Sequence, residues 1–98
     1  MSFEESLIIN GYVQQSKSTS KMLNNCYERV ICKDGYVVHL ELSNNFNTAI
    51  FIVENTFGKT LFTRIKDVPK AVFCKSTEQF ERFNSWTESL ISKMLPTS

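Results

Sequence analysis

The residue pattern predicts a mainly β, α+β fold: about six antiparallel strands followed by one amphipathic C-terminal helix. Three observations predict it. Runs rich in β-branched and aromatic residues recur between turn signals from Leu7 to Phe73. Asp34-Gly35 sits between two such runs as a hairpin turn. After Ser76 the apolar period lengthens, and Phe80, Phe83, Trp86, Leu90, Ile91 and Met94 recur at spacings of three and four.

Taken in order, Leu7 to Gln15 reads as a first strand, bent or bulged at Asn10-Gly11. Ser16 to Asn25 is polar and aperiodic, an exposed loop with Met22 and Leu23 anchoring its far end. CYERVICK and YVVHLEL flank Asp34-Gly35. A two-residue turn would set Glu28 opposite Glu41, a like-charge pair. A three-residue loop ending in a bulge would set Arg29 opposite Glu41 and gather Val30, Cys32, Val38, Leu40 and Leu42 on one face. Charge and burial favour the second register.

Thr48 to Glu54 is a nearly continuous apolar run, suited to a central strand. Lys59 to Asp67 alternates Leu61, Thr63 and Ile65 with Phe62, Arg64 and Lys66, the pattern of a half-exposed strand with Arg64 and Lys66 facing solvent. Val68-Pro69 breaks it, and Ala71 to Cys74 reads as a sixth short strand. Ser76-Thr77-Glu78-Gln79 has the form of a capping box, and Pro96 ends the helix that follows.

Length and composition bound the function. Ninety-eight residues make one domain, residues 1–98, and 42% hydrophobic content with twelve aromatics supplies its core. The net charge of +1 argues against a strong field for nucleic acid or anionic membrane. The longest apolar runs, such as Ala49 to Val53, fall far short of the roughly 20 residues that span a bilayer. The acidic start Glu4-Glu5 is unlike a signal or transit peptide, and Cys26, Cys32 and Cys74 are an odd number without CxxC spacing. An intracellular setting, cytoplasmic or nuclear, is expected.

Chemistry-bearing motifs are sparse. His39 is the single histidine and reads as a partly exposed strand residue. Cys26, Cys32, His39 and Cys74 lack the paired short spacings of a zinc site. Phosphate-loop, dinucleotide, HExxH and GxSxG patterns are all missing. The expectation is a non-enzymatic chain without metal or cofactor.

The strand order followed by Thr77 to Trp86 on a C-terminal helix resembles the pleckstrin-homology superfold, as do Gly11-Tyr12-Val13 and Tyr27 to Ile31 for its first two strands. The resemblance implies a bent sheet of six or seven strands closed by that helix; six are readable where the superfold has seven. Six strands and a helix are also similar to a polo-box. The first resemblance implies phosphoinositide binding through Lys17, Lys21 and Arg29, but Tyr27 stands where the lipid binders carry a further base, with Glu28 beside it. The second implies phosphopeptide reading by a His and a Lys on one strand, whereas Leu40-Glu41 follows His39.

The reading these residues support best is a scaffold or assembly subunit that binds a protein partner, as a homo- or heterodimer, through a sheet edge and the helix groove beside it. Ile9, Tyr12, Val13 and Gln15 on the first strand are the candidate contacts. A third reading is RNA binding through Lys59, Arg64, Lys66 and Lys70, a stretch continuing to Lys75 with Phe62 and Phe73 interleaved for stacking. A sheet covered by a C-terminal helix is similar to the Alu-domain proteins of the signal recognition particle, although those begin with a long helix.

Overall fold

Ser2 opens the first element. In the computed structural model, which describes residues 2–19, 21–73 and 78–96, its hydroxyl accepts the Glu5 N–H at 3.1 Å while donating to Glu5 Oε1 at 3.1 Å. Ser2 is thus a side-chain N-cap, held in place by Glu5, and it starts helix α1, Phe3–Ile9. The helix ends in a Schellman motif. Gly11 adopts φ +95°, its N–H reaches Ile8 O at 3.2 Å, and the Tyr12 N–H reaches Leu7 O at 3.0 Å. The expected first strand from Leu7 is therefore a helix over Leu7–Ile9, and the strand proper, β1, is Val13–Lys17. Two caps outweigh the β-propensity of Ile8 and Ile9.

Four further strands follow among the described residues: β2 Asn24–Lys33, β3 Tyr36–Ser43, β4 Thr48–Asn55 and β5 Thr60–Asp67. They form an open antiparallel meander in the order β1-β2-β3-β4-β5. The β2–β3 turn corrects the expected register. Asp34 and Gly35 have φ of +52° and +82°, the two left-handed residues of a type I′ turn, so Lys33 pairs with Tyr36 and Glu28 with Glu41. The like-charge pair is tolerated because other donors hold both carboxylates: the Thr19 N–H gives to Glu41 Oε1 at 2.6 Å and the Thr19 hydroxyl to Glu28 Oε2 at 2.9 Å. Val30 and Cys32 consequently lie on the face opposite Val38, Leu40 and Leu42, and both are exposed.

The expected sixth strand is a 3-10 turn, Lys70–Phe73, started by Pro69, whose carbonyl accepts the Val72 N–H at 3.0 Å. Cys74 lies outside the described residues. So do Ser76 and Thr77 of the expected capping box. Helix α2 runs Gln79–Met94 from Glu78, which makes no side-chain cap bond. The six- or seven-stranded form is thus replaced by five strands, the 3-10 turn and two helices among the described residues.

Both helices lie on one side of the sheet. Leu40, Leu42, Phe51 and Val53 from the sheet join Leu7 of α1 and Phe83 and Ile91 of α2 in the core. Phe3 is its keystone at one end: its ring meets Phe46, Phe73 and Phe83 edge-on at centroid distances of 5.1, 5.4 and 5.5 Å. The run Thr48 to Glu54 is central as expected, with Ala49 to Val53 buried. No helix among the described residues is long and apolar enough to cross a membrane.

Candidate protein-interaction surface

The end of α1 delivers an apolar corner. Phe3 and Leu7 face inward, so the helix period leaves Ile8 and Ile9 outside, 53% and 66% exposed. The Schellman turn then buries Tyr12 at 2% and puts Val13, 61% exposed, at the start of β1. β1 pairs with β2 along one side only, so its other edge carries unpaired backbone groups among the described residues. Of the four expected partner contacts, Ile9 and Val13 share this corner. Tyr12 does not offer its side chain: the ring packs 6.2 Å from Phe83 and lies under the Arg29 guanidinium, 5.9 Å from its centroid. Burial pushes the Tyr12 phenol up to about 12, with the Arg29 charge pulling the other way. Gln15 is half-buried, and with its amide turned to donate it lies 3.2 Å from Glu28 Oε2.

The second surface is the face of the sheet turned away from the helices. Register places Val13, Glu28, Glu41, Ile50 and Ile65 in one row across the strands, and Val30, His39, Ile52 and Thr63 in the next. His39 ties three strands together: Nδ1 is 3.2 Å from Glu28 Oε1 and Nε2 is 3.0 Å from Glu54 Oε1. Glu41 is fully buried, and its Oε2 has no hydrogen-bond partner among the described residues. Burial, then Glu41 and Glu28, push the Cys26 thiol up. Val30 and Ile65 remain 51% and 46% exposed on this face. The acid–imidazole cluster was half legible in the sequence. The alternation His39-x-Glu41 puts both on one face, but Glu28 and Glu54 join it only through the I′ register.

Sequence alone grouped other cations that the structure separates. Lys17 follows the alternation of β1 on the side away from the helices, Arg29 lies on the helix side over the Tyr12 ring, and Lys21 is in the β1–β2 loop with φ +62°. These three do not converge. Arg64 and Lys66 face the helix side, opposite to the expected solvent face, because Arg64 is registered with Phe51 and Lys66 with Ala49. With Leu90, Lys93 and Met94 of α2 they line a cleft of about 250 Å³. Lys59 precedes β5 and Lys70 follows it, about 20 Å or more apart along the strand at 3.3 Å per residue. Lys75 lies outside the described residues.

His39 meets carboxylates at both ring nitrogens, and this pairing braces the strands. Among the described residues no group of three or more His, Cys, Asp and Glu is arranged to hold a metal ion. No protein-family model, curated protein or solved structure matches the chain.

Proposed function

We propose that the chain is a non-enzymatic protein-interaction or assembly module, and that a partner strand adds to the sheet at the outer edge of β1. One observation carries this: an unpaired strand edge adjoins Ile8, Ile9 and Val13, all more than half exposed. Main-chain bonds along such an edge supply affinity, and flanking apolar side chains supply selectivity. The strand meander closed by a C-terminal helix is the part of the pleckstrin-homology and polo-box resemblance that supports a binding role.

The test is quantitative capture from nuclease-treated lysate by the wild type, an Ile9→Lys/Val13→Lys double variant and Val13→Pro. Both positions, Ile9 and Val13, are on the surface, and Val13 is the first residue of its strand, where proline is best tolerated; capture is compared among variants whose fold is verified by circular dichroism. The expected result is a stoichiometric protein partner lost by about tenfold or more in the variants, an effect of over 1.4 kcal/mol. Equal capture by folded variants would remove this reading.

A further inference from the structure

The last strand is built against the usual order of an amphipathic strand. Register turns Thr63 and Ile65 of β5 away from the helices and brings Arg64 and Lys66 to the helix side, opposite Phe51 and Ala49 of the core. Helix α2 does not close over them. A cleft of about 250 Å³ separates α2 from β5, lined by Arg64, Lys66 and Lys93 with Leu90 and Met94. Arg64 and Lys93 are exposed, while Lys66, Leu90 and Met94 are half-buried. Three cations thus surround an apolar patch with no acid in the lining. Among the described residues none of the three forms an ion pair, and the last acid of α2, Glu88, bears on Tyr12 instead.

Spacing and charge select the ligand. β5 is the second terminal strand of the sheet and pairs with β4 alone, so the edge beside this cleft is unpaired among the described residues. Arg64 and Lys66 are two residues apart on one face, about 6.6 Å, which is also the repeat of alternate side chains on any extended segment. Cations turned inward on an edge strand discourage a generic added strand, whose apolar side chains would desolvate them. Carboxylates at the same positions would neutralise them. We infer that this edge and cleft dock an extended segment of a partner protein that alternates acidic and apolar residues. Its carboxylates reach Arg64, Lys66 and Lys93 with their stems over Leu90 and Met94, and its apolar residues lie beside Ile65, 46% exposed on the other face. A second copy joined through this cleft would set cation against cation, and RNA finds no aromatic ring in the lining on which a base could stack. This rests on the reading of the chain as an interaction module, but at the opposite edge of the sheet from β1.

The test uses the full chain, isotope-labelled, with two capped synthetic pentapeptides at millimolar concentration, one alternating leucine and glutamate and the other leucine and lysine; inorganic phosphate and oligouridylate are further probes. The expected result is that the glutamate peptide shifts the amides of Arg64, Lys66 and Met94, while the lysine peptide binds about tenfold more weakly or worse. Arg64→Gln on the strand and Lys93→Gln on the helix, both at exposed positions, should each weaken the glutamate peptide several-fold with the rest of the spectrum unchanged. Shifts confined to other surfaces, no shifts at all, equal response to both peptides, the same shifts from phosphate alone, tighter binding of oligouridylate, or concentration-dependent self-association through these amides would each overturn it. The Ile9→Lys/Val13→Lys variant separates the two readings, since it should bind the glutamate peptide as the wild type does. A silent cleft with the lysate partner still lost in that variant would remove this inference alone, and an intact cleft response with equal lysate capture would remove the β1 edge alone.

Discussion

Glu41 carries a cost that its neighbours offset only in part. It faces Glu28 across the β2–β3 pair, is shut off from solvent, and has one oxygen unpartnered while the other accepts from the Thr19 N–H. Glu41→Gln keeps that acceptor and removes the like charge. Urea unfolding should therefore show it more stable than the wild type by about 0.5–1 kcal/mol, and a loss of stability would mean that Glu41 has a cationic partner in the fold. Gly35 acts differently. Its φ of +82° is left-handed, and a Cβ added there would meet nothing within 4 Å, so the cost of Gly35→Ala is that of the backbone alone. A destabilisation of about 1 kcal/mol is expected, and a neutral result in the same assay would contradict the I′ turn. Tyr27 links β2 to α1 by donating to Glu4, and burial with that carboxylate pushes its phenol up to about 12.

At the scale of elements, α1 and the β2–β3 hairpin show what could be read from sequence and what could not. Ser2-Phe3-Glu4-Glu5 and Asn10-Gly11 are both present as start and stop signals, so the helix was legible. The β-branched pair Ile8-Ile9 masks it, since both residues favour a strand locally while the signals at the two ends decide the element. The hairpin itself was readable from Asp34-Gly35, but its register was not. Like charge alone disfavours Glu28 opposite Glu41, but Thr19 from a loop and His39 from a neighbouring strand hold these carboxylates. The faces of β5 are likewise set from outside the strand, by pairing with β4 rather than by the chemistry of Arg64 and Lys66. Since the cap decides α1, Ser2→Ala should weaken the domain by about 1 kcal/mol. Backbone amides of α1 should then exchange faster than those of β3, and uniform exchange would show that α1 does not open on its own.

For the whole molecule, an open sheet with both helices packed on one side leaves β1 at an edge, and the functional reading grows from that edge. The sequence pattern placed β2 to β5 and the covering helix, yet it could not show that both helices share a side, since that depends on α1 being helical. The aromatic cluster around Phe3 ties α1, the β3–β4 turn, the 3-10 turn and α2 into one unit. Its fate in base is predictable. Tyr12 and Tyr27 each hold the proton more tightly in the fold than the ordinary phenol value of 10.0, at about 12. Their contribution is complete below pH 10 and is lost as the pH rises toward 12. The melting temperature should fall across that window, and Tyr12→Phe should flatten the fall; an unchanged slope in that variant would place the alkaline transition elsewhere.

Strand addition at β1 is tested most directly by amide hydrogen exchange of the free chain and of the chain in complex with its captured partner. The expected result is fast exchange at outward-facing amides between Gln14 and Ser16 in the free chain, and strong protection of those same amides in the complex. Protection that appears on β5 or α2 while β1 continues to exchange freely would contradict it.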